Sequence, residues 1–311
     1  MDFSIILMWI SLLLISTSTS ALIMEPSSSS RHPTVGLALH STRLDYVHGY
    51  HAGNYADVVK HSVLIMLLEH MKRKDSPFVY VDTHAGAGSY PLDSEEALQL
   101  GEFRRGVGRL LETEDKLPDP LPKLVEMTRK KDLSVYPGSP MIAKELCRSQ
   151  DSMLLFEKAQ DIFDLLSNNI NNDATIIMQD GYKGLADHAW NTKSLPRALV
   201  FIDPPYQDGS DTDQAARVVK HLSKHWQSAR VALWYPASDA LREKSDRLLS
   251  ELKKATSAEI LALEMYPSDA IGTGIVLVNP SYGIEEDLRC CLPEIAKVLR
   301  DEKPTLRLKW L

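Results

Sequence analysis

Asp203, Pro204, Pro205 and Tyr206 follow directly on an aliphatic run, residues 199–202. An acid placed there can accept a hydrogen bond from an exocyclic amine, and the Pro204 carbonyl can accept a second. An adenine N6 lone pair is delocalised into its ring and is a poor nucleophile. Two acceptors on its protons favour a pyramidal, more reactive nitrogen. Two prolines restrict the loop, so both acceptors are in place before reaction. Tyr206 adds a ring on which a base can stack, a contact worth about 1–3 kcal/mol.

Three earlier acids sit at comparable positions. Asp82 closes an apolar run, residues 78–82, and Gly86-Ala87-Gly88 follow. Glycines two apart after a strand let backbone approach a ligand closely. Glu157 closes residues 152–156, where a nucleotide fold places an acceptor for ribose hydroxyls. Asp180 and Gly181 follow residues 175–178, and an acid there can accept from the amino group of a bound adenosine. Each feature alone is weak, because tight turns and solvated acids produce the same patterns. In this order they describe a nucleoside cofactor site leading into a reactive loop. Asp180 and Asp203 are 23 residues apart, a normal helix-plus-strand interval.

Residues 46–61 are dense in Tyr, His, Gly and Asn. This segment reads as a polar loop entering a helix, with Asp57 in the favourable first turn, or as a flexible arm over the cofactor. No Cys or acid cluster completes a ligand set around His48 and His51, so no metal is expected.

The elements needed to position these residues alternate as in a doubly wound α/β sheet. Strands are predicted at 78–82, 152–156, 175–178, 199–202, 231–235, 259–263 and 275–278, with an edge strand at 305–311. Helices are predicted at 58–71, 213–226 and 239–255. Gly88 and Glu157 are 69 residues apart, whereas about 20 suffice between a glycine loop and the next strand's acid. Residues 92–135, rich in Glu, Leu, Lys and Arg, are therefore read as a helical insertion within a domain spanning 44–311. Arg104, Arg105, Arg109, Arg129, Lys130 and Lys131 are its candidates for phosphate contact.

The 311-residue chain carries a formal charge of −7, which disfavours a general nucleic-acid coat but allows one local basic surface. Three cysteines, two of them adjacent, form neither a disulfide framework nor a zinc spacing. Residues 5–15 are apolar and signal-like, and residues 31–42 lack acids and resemble a transit sequence. Residues 1–43 are read as a targeting or disordered extension. The compartment expected is a plastid, with the mitochondrion as the alternative.

His51-Ala-Gly-Asn54, Asp57, Lys60-His61, Asp82-Thr-His-Ala-Gly-Ala-Gly88, Tyr136-Pro-Gly-Ser-Pro140, Asp180-Gly181, Asp203-Pro-Pro-Tyr206 and Leu233-Trp-Tyr-Pro236 resemble the bacterial 23S rRNA adenine-N6 methyltransferases of the RlmJ type, over about residues 45–310. The resemblance implies a class I S-adenosylmethionine-dependent methyltransferase fold, Rossmann-like, with a small helical insertion. It implies that His61, His84, Ser139, Glu157, Asp180 and Gly181 bind S-adenosylmethionine, with Gly86 and Asp203 beside them. It implies Asp203 as the catalytic acid-base residue, with Pro204 and Tyr206, and it matches Tyr46 and Lys60 to arm residues near the active site. The expected substrate is large-subunit rRNA without ribosomal proteins. The expected form is a monomer with no stable membrane association once mature. A DNA adenine or protein glutamine methyltransferase and a catalytically silent RNA-binding scaffold are the alternatives.

Overall fold

The computed structural model describes residues 47–113, 116–129, 135–187, 195–206, 210–267, 272–299 and 305–311. His48–Pro204 and Ser210–Leu311 group as one compact unit. The second unit, Met1–Val47 with Pro205–Gly209, contributes Val47, Pro205 and Tyr206 to the described residues. Tyr46 and residues 1–43 lie outside them.

A 3-10 turn, His48–Tyr50, leads into helix α1, Tyr55–Lys72. Asn54 caps that helix by accepting the Asp57 N–H at 2.9 Å. Strand β1 is Phe78–Asp82. The short strands β2, Ser89–Pro91, and β3, Val135–Pro137, pair antiparallel. Between them run helices α2, Glu95–Leu100, α3, Val107–Glu112, and α4, Leu121–Arg129. Then come α5, Ser139–Leu146, β4, Ser152–Glu157, α6, Gln160–Ile170, β5, Thr175–Met178, and α7, Gly181–Asp187. The chain continues through β6, Arg197–Ile202, α8, Asp211–His225, β7, Ala229–Ala237, and α9, Arg242–Ala255. It ends with β8, Ile260–Tyr266, β9, Gly272–Val278, α10, Ile284–Val298, and β10, Thr305–Trp310.

Eight strands form one sheet in the order β10-β8-β9-β7-β6-β1-β4-β5. β5, β4, β1, β6 and β7 run parallel. β9 is antiparallel to both neighbours, and β10 is antiparallel to β8. The central parallel strands are nearly all apolar because helices cover both faces. The chain moves one way from β1 through β4 to β5, then returns to the other side of β1 at β6. That reversal opens a crevice at the carboxyl ends of β1 and β6.

The expected helix over 58–71 begins earlier, at Tyr55, because the Asn54 cap precedes the apolar stripe. The helix expected from 239 begins instead as a 3-10 turn, Asp239–Leu241, before α9. Among the described residues no helix is long and apolar enough to cross a membrane.

Candidate active site at the strand ends

The loop after β1 is tied to both neighbouring strands. Thr83 donates its N–H to the Phe201 carbonyl of β6 at 3.1 Å, and Ala85 donates to Phe156 of β4 at 3.0 Å. Gly86 and Gly88 have φ of 62° and 79°, a region costly for residues with a Cβ. At Gly86 a Cβ would also lie 2.2 Å from the Tyr90 hydroxyl. Glu157, at the end of β4, braces this loop: Oε2 accepts the Gly86 N–H at 3.0 Å and Oε1 accepts the Ala159 N–H at 2.9 Å. A carboxylate offers about four acceptor positions, so capacity for ribose hydroxyls remains. Asp180 follows β5, and its Oδ1 accepts the Lys183 N–H at 3.0 Å, closing the first turn of α7. Gly181 opens that helix directly against the Thr83 carbonyl, where a Cβ would come within 1.8 Å.

Asp82 is fully buried. Its Oδ2 accepts from the Tyr80 hydroxyl at 2.8 Å and from Ser139 Oγ at 2.7 Å, and its Oδ1 accepts the His84 N–H at 3.2 Å. Ser139, implied by resemblance as a cofactor ligand, is thus engaged by Asp82. Burial pushes the Asp82 carboxyl up to about 6, although these donors favour its charged form. Burial also pushes the His84 imidazole down to about 4, leaving it neutral near pH 7. Its Nδ1 lies 2.8 Å from Thr83 Oγ1, and its ring meets the Tyr182 ring edge-on at 4.9 Å.

The Asp82 shift has a consequence for stability. Its folded pKa of about 6 lies above the ordinary 3.8, so the folded state holds the proton more tightly. The stability it contributes is present below about pH 4 and is lost as pH rises toward 6. His84, shifted the opposite way, adds stability across the same interval, so only a difference between variants isolates Asp82. Asp82→Asn is expected to gain on the wild type by roughly 2–3 kcal/mol between pH 4 and 6, read from urea midpoints. A difference that stays flat with pH would refute this.

A second cluster lies on the opening turns of α1, where Asp57, Lys60 and His61 are all buried. Lys60 Nζ lies 2.5 Å from Asp203 Oδ2 and 2.9 Å from Asp57 Oδ1, and 5.2 Å from the centre of the Trp234 ring. Burial opposes the ammonium charge, but the Asp203 and Asp57 carboxylates outweigh it and raise the Lys60 pKa above its ordinary value. Burial likewise opposes the Asp57 charge, and Lys60 with His48 nevertheless holds that carboxyl well below the usual range. His61 is pushed down to about 3, chiefly by burial. Its Nδ1 sits 2.8 Å from the Tyr136 hydroxyl, with the rings stacked at 5.5 Å.

The structure therefore brings Asp203, Lys60 and Asp57 together. It places Glu157, Gly86, Asp180, Gly181 and His84 around the loop after β1. Lys60 is not an arm residue: it stands inside α1, where tertiary packing buries it. Pro204 is buried beside Asp203, and Tyr206 belongs to the smaller unit with a left-handed φ of 53°. From the sequence, Asp57 is expected only to favour the first turn of the helix. Its partners, the side chains of His48 and Lys60 and the Gly53 N–H, become meaningful only in three dimensions.

The segment between β2 and β3 is attached to the entry of α1. Glu102 Oε2 lies 3.0 Å from His51 Nδ1 and accepts from Asn54 Nδ2 at 3.0 Å. Val107 donates its N–H to the Gly53 carbonyl at 2.8 Å. Arg109, a candidate for phosphate contact, instead donates to the Leu299 carbonyl beyond α10. Lys130 and Lys131 lie outside the described residues. A hollow of about 810 Å³ is lined by Leu110, Leu117, Val125, Arg129 and Glu294. None of the strand-end acids borders it, so the chemistry and not the hollow locates the site.

An open sheet reversing between β1 and β6, with β9 inserted antiparallel between β7 and β8, has the strand order of the class I methyltransferases. Asp82 and Glu157 end β1 and β4, and Asp180 and Asp203 follow β5 and β6, so all four lie along the carboxyl edge of the sheet. The family described as ribosomal RNA large subunit methyltransferase D, RlmJ, matches residues 75–311, and the chain belongs to it. The ribosomal RNA large subunit methyltransferase J of Haemophilus influenzae is 37% identical over 276 residues, covering 83% of this chain and 95% of that protein. The protein of the same name from Escherichia coli is 36% identical over 265 residues, covering 80% and 92%. The crystal structure of protein LPL1258 from Legionella pneumophila has a TM-score of 0.74 at 24% identity. It covers 83% of this chain and 98% of its own, and it shares the fold.

Proposed function

We propose that this chain transfers the methyl group of S-adenosylmethionine to N6 of an adenine in large-subunit rRNA. The observation that carries the proposal is the Asp203 carboxylate at the end of β6, held at 2.5 Å by the Lys60 ammonium and followed at once by the Pro204 carbonyl. The donor set suits the cofactor. Glu157 can accept from ribose hydroxyls, Asp180 from the adenine amino group, and the positive-φ glycine loop admits close backbone approach. Neutral His84 adds no cation beside a sulfonium. Bound S-adenosylmethionine supplies an electrophilic methyl group.

The chain's own residues prepare the nucleophile. Asp203 accepts a hydrogen bond from one N6–H and the Pro204 carbonyl from the other, which turns the amine lone pair out of the ring. As N6 gains positive charge, the Asp203 carboxylate stabilises it and then takes its proton. A paired adenine hides N6, so the target is an unpaired or extruded base. The substrate in this reading is rRNA without ribosomal proteins, and the enzyme acts as a monomer with no stable membrane association once mature. The roles that the resemblance implies for Tyr46, Tyr206 and Ser139 remain part of this reading. Labelled S-adenosylmethionine, the full chain and protein-free large-subunit rRNA test the reading. It requires label in rRNA as N6-methyladenine; labelling of DNA in its place would favour the DNA alternative.

The apolar residues 5–15 and the acid-poor residues 31–42 support delivery to a plastid. Fusing residues 1–45 to a fluorescent protein is expected to produce plastid fluorescence. A purely secretory or cytosolic pattern would exclude any organelle, and a mitochondrial one would select the alternative.

A further inference from the structure

We propose that Asp57 is a positioning residue for the reaction: it shares the Lys60 ammonium with Asp203 and fixes the turn at His48, so that Asp203 keeps acceptor capacity for the substrate amine. The proposal rests on the reading that Asp203 accepts from that amine. An acid in the first turn of a helix is favourable on the surface, and Asn54 already caps α1. Neither role calls for an acid that is 2% exposed. A buried carboxylate is costly unless its oxygens are partnered. Here Oδ1 takes Lys60 Nζ at 2.9 Å, while Oδ2 takes the Gly53 N–H at 2.9 Å and lies 3.1 Å from His48 Nε2.

Those partners join two parts of the site. Gly53 and His48 belong to the turn before α1, while Lys60 reaches on to Asp203 at 2.5 Å. A lysine has three N–H donors, and two of them serve two carboxylates. If Asp57 were uncharged, the whole ammonium charge would settle on Asp203 as a one-to-one pair. That pair would compete with the substrate amine for the same oxygens. With Asp57 present the charge is divided, and Lys60 can lean toward Asp57 when the amine arrives.

The test is a cycle of Asp57→Asn, Lys60→Met and the double variant, measured on rRNA with the full chain. Asp57→Asn is expected to lower kcat about 10- to 100-fold, the scale of a small displacement in a reacting group. KM for rRNA and the affinity for S-adenosylmethionine should stay within about threefold, well under the tenfold that marks a lost contact. Because Asp57 acts through Lys60, the double variant should match Lys60→Met in kcat to within about threefold. Losses that multiply in the double variant overturn the proposal. So does an unchanged kcat with weakened cofactor binding, which marks a purely structural role. Asp57→Glu keeps the charge and should hold kcat above that of Asp57→Asn; a kcat at or below it also overturns the proposal. If the wild type labels no rRNA, the functional reading fails and the melting temperatures of the same cycle decide this one. A double variant that melts above the sum of the single losses supports the link, and strictly additive losses overturn it.

Discussion

Asp203→Asn is expected to lower kcat for adenine methylation by about 10²–10⁴-fold, the range for loss of a positioned proton acceptor. Binding of S-adenosylmethionine and rRNA should change little. The amide nearly matches the carboxylate in shape, so the loop after β6 has no reason to move. Charge and acceptor capacity change. The carboxylate offers lone pairs to both the substrate amine and Lys60 Nζ at 2.5 Å, whereas an amide has one acceptor oxygen and an NH₂ group that repels an ammonium. The missing negative charge matters most once N6 becomes cationic, and that charge exists only near the transition state. RNA affinity comes mainly from phosphate contacts, so KM should hold. Single-turnover transfer at saturating rRNA would measure the effect. A rate within tenfold of the wild type would remove Asp203 from the chemistry.

The strand ends were legible because of where parallel strands lie. Buried on both faces, they read as short apolar runs, and the first polar residue after each run marks the carboxyl edge of the sheet. Asp82, Glu157 and Asp203 announce themselves in that way, and Asp180 stands one residue further on, after Gln179. The arrangement around α1 was not legible. Apolar periodicity finds one buried stripe, but α1 is buried on nearly every side, so Lys60 and His61 lie in the interior despite their polarity. What makes Lys60 tolerable there is Asp203, 143 residues away, and no local pattern encodes that distance. Arg109 misled for the same reason: its partner is the Leu299 carbonyl, 190 residues on. The ribbon of β2 and β3 has three residues per strand, too few to show alternation. The insertion of β9 between β7 and β8 is likewise a choice of pairing that hydrophobic runs leave open.

Gly181→Ala is expected to cost about 3 kcal/mol of stability, the upper end for overpacking, and to weaken S-adenosylmethionine binding at least tenfold, or about 1.4 kcal/mol. The added Cβ would lie 1.8 Å from the Thr83 carbonyl oxygen and 2.5 Å from its carbon. Backbone must therefore move, not a flexible side chain. Thr83 cannot yield cheaply, because its N–H and its Oγ1 both donate to the Phe201 carbonyl at 3.1 and 3.2 Å. α7 has little room elsewhere, since Gly184 on its next turn faces the Phe156 ring, where a Cβ would come within 2.4 Å. Displacement would fall on Asp180, whose carbonyl accepts the Gly184 N–H at 2.7 Å and whose side chain closes the same turn. In the proposed site Asp180 reads the cofactor's adenine, so stability and binding should fall together. Gly283 separates this from the ordinary cost of losing a glycine. Its φ of 81° is left-handed, but a Cβ there meets nothing nearer than an Arg73 nitrogen at 3.7 Å. Gly283→Ala should show only backbone strain, about 1–2 kcal/mol, with cofactor affinity intact. Thermal melts and calorimetric titration of both variants would decide the matter. If Gly181→Ala kept wild-type affinity, α7 would not border the cofactor, and the assignment of Asp180 would fall with it.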